Sequence, residues 1–206
     1  STDAIWKAIL KAQHHDVYVF AAAGLRKLAI PALQSATLDA ARIANGAAEA
    51  IMQAMEQDDR VFLIGEGVDN ITGVYGHVLP AYKKFGPKRV IDSPLSENGL
   101  TGFCVGAALD GLRPVLIHQR NDFMLLSMDQ MMNQAAKLKY ASGGQQSVPL
   151  TVLSFVARKH GEGVQHSQSL QAVFSSFPGI KLCMPGSAHD VKGMVMAAIA
   201  EEDPTI

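Results

Sequence analysis

The sequence predicts an α/β fold in which a parallel sheet is covered by helices on both faces. Two observations carry that expectation. Apolar runs such as Val61-Phe62-Leu63-Ile64 and Val115-Leu116-Ile117 show no polar alternation, as in strands buried on both sides. Between these runs lie longer segments with apolar residues at helical spacing, so strand and helix alternate along the chain. At 206 residues the chain is long enough for one good core with an appended arm.

Taken in order, residues 4–13 read as a short helix with Ile5, Ile9 and Ala12 on one side. His14 to Thr37 has no clean period and contains Gly24 and Pro31. Residues 1–37 therefore read as an N-terminal arm or linker, and 38–206 as the domain. Asp39 to Gln57 carries Ile43, Ala47, Ala50, Ile51, Ala54 and Met55 at helical spacing. A buried strand, Val61 to Ile64, stops at Gly65-Glu66-Gly67, and a helix over Val78 to Phe85 ends at Gly86-Pro87. Val90-Ile91 is a short strand leading into Asp92-Ser93-Pro94-Leu95-Ser96-Glu97-Asn98-Gly99. A helix runs from there to about Asp110, closed by Gly111, and Pro114 to Ile117 is the next strand. Met124, Met128, Met131 or Met132, Ala135 and Leu138 mark a long helix, broken by Ser142-Gly143-Gly144. Leu150 to Val156 is a strand. A loop through Arg158, Lys159 and His160 then reaches Gln165-His166-Ser167-Gln168. The rest reads helix, strand (Ile180 to Met184), Pro185-Gly186 and helix (Ala188 to Ala200). Asp203-Pro204-Thr205-Ile206 begins a further apolar strand, and the functional polypeptide is expected to be longer.

Composition narrows the function classes. The chain is 48% hydrophobic and 18% charged with a net charge of -1, so no basic field recruits nucleic acid or an anionic membrane. The longest apolar run, Val17 to Leu25, is too short to span a bilayer, and Asp16 abuts it, which argues against a signal peptide. Cys104 and Cys183 are far apart without ligand spacing and read as reduced thiols of an intracellular protein. His14, His15, His77 and His118 have no partners at metal spacing.

Ligands of parallel sheets sit beyond the carboxyl ends of the strands, where Glu66, Glu97, Asp122, Phe123 and the His166 loop are expected. Glu97 admits two readings. A carboxylate in the first turn of a helix is favoured by the macrodipole, with Ser96 as its cap, or it is a catalytic acid. The helix after it carries Gly99, Gly102 and Gly106 along one face, each costing about 1 kcal/mol against alanine, so a helix or ligand is expected to approach closely. His166 is either a proton-transfer residue or a hydrogen-bonded structural histidine. Phe123 and the methionine ladder read most simply as core. No glycine-rich phosphate loop follows a strand, so a diphosphate ligand would need another chain to hold its phosphates.

From Leu38 onward the sequence resembles the beta subunit of the thiamine-diphosphate-dependent decarboxylating component of 2-oxo-acid dehydrogenases, the pyruvate, branched-chain and acetoin enzymes. The resemblance covers the pyrimidine-binding domain, a transketolase-like three-layer sandwich around a parallel sheet. V-F-L-I-G-E-G-V at 61–68, F-G-P-K-R-V-I-D-S-P-L-S-E-N-G at 85–99 and V-G-A-A-L-D-G-L-R-P at 105–114 carry it. So do D-F-M-L-L-S-M-D-Q-M-M-N-Q-A-A-K at 122–137, S-G-G at 142–144, Q-H-S-Q-S at 165–169 and D-V-K-G at 190–193.

What the resemblance implies is specific. Glu97 falls on the glutamate that hydrogen-bonds the cofactor aminopyrimidine and favours the imino tautomer, which removes the thiazolium proton. Phe123 matches the aromatic on the pyrimidine, His166 the histidine implicated in acyl transfer to a lipoyl arm, and Glu66 a residue facing the same pocket. The diphosphate and its magnesium are expected on an alpha-type subunit or domain. Self-association into a dimer or heterotetramer and a lipoyl acyltransferase core are expected as further partners. A monovalent cation is expected near Leu150, Ala198, Glu201 and Asp203, held largely by backbone carbonyls. The compartment implied is the bacterial cytoplasm, or the mitochondrial matrix in a eukaryote. The family's C-terminal domain is not within these residues, so alone they are expected to turn over nothing. The rival readings are a catalytically silent relative pairing with an alpha-type chain, and a thiamine-diphosphate decarboxylase or transketolase-like enzyme without a lipoyl acceptor.

Three departures from the family pattern stand out. Ile117 is followed by His118-Gln119-Arg120-Asn121 where the family has an acid and aromatics, and Gly67 stands where a second acid is usual. Leu153 to His160 replaces an arginine-glycine-proline and glycine-rich loop. Arg120, Arg158, Lys159 and His160 are thus candidate entrance residues for a more acidic substrate or acceptor, or products of drift on loops.

Overall fold

The computed structural model of the chain describes residues 29–70, 77–156 and 163–206, with side chains from residue 42 onward. The helix expected at residues 4–13 lies outside the described residues.

A long first helix, α1 (Ala29–Gln57), leads into β1 (Val61–Gly65), α2 (Leu79–Phe85) and β2 (Val90–Asp92). Then come α3 (Glu97–Leu109) and β3 (Arg113–His118). A helical run follows, tight over Phe123–Ser127, wide over Asp129–Ala135 and regular in α4 (Ala136–Ala141). β4 (Thr151–Ser154), a short turn at Val164–His166, α5 (Gln171–Ser175) and α6 (Ala188–Ala200) complete the described elements.

The four strands form one sheet in the order β2-β1-β3-β4, every pairing parallel. Chain order reverses direction around β1: β2 lies on one side of it, β3 and β4 on the other. Side-chain alternation then divides the core in two. Val61 and Leu63 of β1 and Val115 and Ile117 of β3 pack with α1, α2 and α6. Phe62, Ile64 and Leu116 point the other way, against α3 and the methionines of the helical run. Both faces are buried, which is why these strands show no polar alternation.

Four expectations need correction. Helix α1 starts at Ala29, well before Asp39. Pro31 falls in its first turn, where the missing N–H would have no helical partner anyway, so it does not break the helix. The expected long helix over Met124–Leu138 is not regular: its turns tighten and then widen. The wide segment sends both Met131 and Met132 into the core, although they are neighbours in sequence. The strand expected at Leu150–Val156 is limited to Thr151–Ser154. The segment at Ile180–Met184 forms only a parallel bridge from Lys181 to Thr205, which bridges Thr151 in turn. Backbone bonds from Lys181 to Pro204 and Cys183 to Ile206 make that ladder, too short for a named strand. The apolar strand anticipated around Thr205 is therefore begun, beside β4.

Candidate functional site

Because all strands run the same way, the residues following them gather at one edge of the sheet. Glu66 follows β1 directly, and Glu97 opens α3 after β2. Phe123 begins the tight segment after β3, and His166 ends the short turn after β4.

The β1 end is shaped by two glycines. A Cβ at Gly65 would stand 2.7 Å from the Ile117 carbonyl of β3, so no other residue fits between the strands. Gly67 has φ +65°, which a glycine adopts without strain; an acid there would not. The turn is tied to the β2 end: Val68 N–H donates to Asp92 Oδ1 at 3.2 Å, and Ser93 N–H to the Gly65 carbonyl at 3.0 Å. Glu66 is half-buried between them. Burial, and then the negative charges of Glu97 and Asp92, push its carboxyl above the ordinary range. Three carboxylates thus lie within electrostatic reach at this corner.

Glu97 is half-buried at the first position of α3. Ser96 occupies the cap position and its carbonyl accepts the Leu100 N–H at 2.8 Å, but its hydroxyl makes no capping bond. The expected serine cap is absent, and that hydroxyl lies over Gly99, 2.7 Å from where a Cβ would be. The first turn is held instead through its carbonyl. Thr101 Oγ1 donates to Glu97 O at 2.7 Å, and Ser127 Oγ donates to the same atom at 2.9 Å. His118 Nε2 lies 3.2 Å from the first hydroxyl and 3.1 Å from the second. Thr101, His118 and Ser127 are all buried, and burial pushes the imidazole down to about 4, leaving it neutral at pH 7. No local spacing marks this cluster in the sequence; its one visible signal is a histidine closing an apolar strand.

The glycine face of α3 is met only in part. Gly102 lies against the Gln130 side chain, while Gly106 faces open space and Phe103 beside it is 55% exposed. The close helix approach expected along the whole face is not made by the described residues.

Phe123 and His166 do meet. Their rings stand edge to face with centroids 5.1 Å apart, and both are half-buried rather than core. Two buried neighbours that the sequence did not single out as a pair hold the histidine loop. Asn121 Nδ2 donates to the Gln168 carbonyl at 3.2 Å, and Gln168 N–H donates to Asp122 Oδ1 at 3.0 Å. Asn121 N–H also donates to Phe155 O at 3.2 Å, tying the clamp to the end of β4. Asp122, a ligand candidate expected at this edge, holds backbone through Oδ1, while its Oδ2 is buried without a partner.

Of the candidate entrance residues, Arg120 is half-buried and donates through Nη1 to its neighbour's carbonyl, Gln119 O, at 3.3 Å. Arg158, Lys159 and His160 lie outside the described residues. At the opposite edge, Lys181 pairs with Glu201 at 2.6 Å and Asp203 at 3.4 Å, and Lys139 pairs with Asp203 at 2.6 Å. Leu150 O accepts the Thr205 N–H and Ala198 O the Glu201 N–H. The Glu201 and Asp203 carboxylates are therefore paired with lysines, which leaves backbone carbonyls as the donors expected for a monovalent cation here.

Comparison with known proteins agrees with this architecture. The family described as transketolase, pyrimidine binding domain, matches residues 39–206. The 2-oxoisovalerate dehydrogenase subunit beta of Bacillus subtilis is 39% identical over 158 residues, covering 76% of this chain and 48% of that protein. The mitochondrial pyruvate dehydrogenase E1 component subunit beta of Bos taurus is 41% identical over 162 residues, covering 77% of this chain and 45% of that protein. The chain spans about half the length of the curated relatives it matches. Among solved structures, transketolase from Leishmania mexicana superposes with a TM-score of 0.63 at 12% identity, over 79% of this chain and 24% of that one. A split-gene transketolase, described as an inactive beta4 tetramer, gives 0.59 at 16% identity, over 80% of this chain and 48% of that one. Those two likenesses concern the fold alone. The family match spans the sheet, its helices and all four candidate residues, and the chain belongs to the transketolase-type pyrimidine-binding domains.

Proposed function

We propose that this chain is the pyrimidine-binding part of a beta-type subunit of a thiamine-diphosphate-dependent 2-oxo-acid dehydrogenase. The observation that carries the reading is the gathering of Glu66, Glu97, Phe123 and His166 at one sheet edge in a family of this binding type. The beta-subunit names of relatives near 40% identity support it.

The residues suit an aminopyrimidine. Glu97 offers a carboxyl anchored at its backbone, and Phe123 offers a half-exposed ring face for stacking. Thiamine diphosphate, when bound, supplies the nucleophile and the electron sink for decarboxylation. The chain's own part is smaller. Glu97 holds and shares a proton at the pyrimidine, and Glu66 lies beside it with its carboxyl raised above the ordinary range by burial and by the charges of Glu97 and Asp92. His166, steadied by Phe123 and the Asn121–Asp122 clamp, serves proton transfer as an acyl group passes to a lipoyl arm.

An alpha-type subunit or domain supplies the diphosphate and magnesium contacts, and the open Phe103–Gly106 face of α3 belongs to a subunit interface. A lipoyl acyltransferase core is the downstream partner. Residues 1–37 act as an arm, although α1 begins within them. The compartment is the bacterial cytoplasm or, in a eukaryote, the mitochondrial matrix. Arg120, together with Arg158, Lys159 and His160, biases the entrance toward acidic substrates or acceptors.

The test is turnover of the full-length subunit reconstituted with its alpha-type partner, across 2-oxo acids. Glu97→Gln is expected to abolish decarboxylation while cofactor-free folding is unchanged; normal turnover in that variant defeats the assignment. If unsubstituted or branched-chain 2-oxo acids clearly outperform anionic ones, the entrance assignment fails alone.

A further inference from the structure

We propose that His118 is a positioning residue, which acts through the Thr101 and Ser127 hydroxyls to fix the backbone carbonyl of Glu97. The turn fixed in this way is the one that aims the Glu97 carboxyl. The inference rests on the reading of Glu97 given above and adds a residue that the family pattern does not supply.

Proton counting sets the direction of the network. Five contacts connect four groups: each hydroxyl with Glu97 O, each with His118 Nε2, and the two hydroxyls with each other at 2.9 Å. Thr101 and Ser127 bring one hydrogen apiece. If Nε2 were a bare acceptor, those two hydrogens would have to serve every contact. One hydroxyl would turn toward the ring, and its 2.9 or 2.7 Å approach to Glu97 O would become a repulsion between lone pairs. With the hydrogen on Nε2 a third hydrogen enters: the imidazole donates to the hydroxyl oxygens, and the two hydroxyl hydrogens are left to serve Glu97 O and the contact in which Thr101 Oγ1 donates to Ser127 Oγ. The neutral Nε2–H tautomer is therefore the form that fits, and it makes the histidine the origin of a one-way donor chain ending on Glu97 O.

Placement makes the chain effective. His118 closes β3, Thr101 lies one turn into α3 and Ser127 ends the tight segment after Phe123. The first turn of α3 is thus tied directly to the tight segment and, through the hydroxyls, to the end of β3. His118, Thr101 and Ser127 are 3%, 0% and 0% exposed, so no water competes for these bonds. A buried, hydrogen-bonded group of this kind holds a neighbouring functional side chain in place.

The experiment uses the full-length subunit assembled with its partner, in wild-type form and as His118→Phe, His118→Gln and Glu97→Gln. His118→Phe is expected to lower kcat by about 10- to 100-fold, the scale of a misplacement near 1 Å, with KM for the 2-oxo acid unchanged. His118→Gln puts an amide N–H near the position of Nε2–H and is expected to restore most of the rate. Nitrogen-15 correlation spectra of the wild-type imidazole are expected to show the neutral Nε2–H tautomer. An unchanged kcat in His118→Phe beside an inactive Glu97→Gln overturns the positioning role and leaves the functional reading standing. Equal impairment of the Phe and Gln variants, or an Nδ1–H tautomer, overturns it as well. Should His118→Phe not fold, Ser127→Ala takes its place: a fall in kcat supports the inference, and wild-type kcat overturns it. Normal turnover in Glu97→Gln removes the functional reading and this inference together.

Discussion

Glu97 and His166 face the same edge of the sheet but are held in different ways. Glu97 projects from the first turn of a thirteen-residue helix, and its carbonyl accepts from two buried hydroxyls that in turn contact a buried imidazole. His166 ends a three-residue turn, touches Phe123 edge to face and depends on two side-chain bonds to Gln168 for its loop. One side is built from regular elements joined deep in the core; the other is a loop whose described residues are held by side chains at Gln168. The difference suits the two tasks proposed for these residues. A group that must be aimed at a bound ring gains from rigidity. A group that must admit and release a second substrate sits better on a segment of lower local stability.

The largest effect expected on the rigid side is catalytic. Glu97→Ala in the assembled enzyme should lower kcat by about 10³-fold, within the range for loss of a proton-transfer group, with its circular dichroism unchanged. Acid provides the next test. His118 has an ordinary value of 6.5 and is pushed down to about 4 by burial, so between these values the unfolded chain binds more protons than the folded one. Stability therefore rises with pH across that window and is lost as pH falls from 6.5 toward 4, by about 3 kcal/mol. Urea unfolding at a series of pH values should show this slope in the wild type and not in His118→Gln; equal slopes would contradict the burial argument.

The loop side should respond through one step only. His166→Ala is expected to slow transfer to a lipoyl acceptor by about 100-fold while decarboxylation with an artificial electron acceptor continues. If both rates fall together, the two sides of the site are not separable. Asp122→Ala should cost about 1 kcal/mol, speed hydrogen exchange at the Gln168 amide and weaken the His166-dependent step several-fold. Slow exchange in that variant would mean the clamp does not hold the loop.

The smallest effect lies at Glu66. Its folded carboxyl is raised above the ordinary 4.5, so its proton is kept more tightly in the folded chain. That contribution is fully present below about pH 4.5 and is lost as pH rises through the folded value. Glu66→Gln should therefore melt at a higher temperature than wild type near neutrality and at the same temperature in acid. Parallel melting curves across the whole range would remove Glu66 from the carboxylate corner.

The two regions were not equally legible in the sequence. Strand runs such as Val61 to Ile64, buried on both faces, announce themselves, because nothing polar can interrupt them. Glu97, Phe123 and His166 could be placed because each closely follows a strand or lies in a distinctive run. The Thr101–His118–Ser127 cluster could not, since its members come from three elements and no local spacing links them. Pro31 misled because proline breaks a helix interior but is accepted in a first turn, and only the structure says which position it holds. The tight and wide turns between Phe123 and Ala135 were hidden because their methionines keep an approximate helical period. Gly67 read as a lost acid. Its positive φ shows a turn that favours glycine.

The central claim is that Glu97 activates a thiamine diphosphate whose phosphates are held elsewhere. Its most direct test is the rate of hydrogen–deuterium exchange at the thiazolium carbon of the cofactor, in the full-length subunit assembled with its alpha-type partner. Fast exchange is expected in the wild-type assembly, and exchange slowed by about 10³-fold in Glu97→Gln with the cofactor still bound. Equal exchange rates in the two assemblies would contradict it.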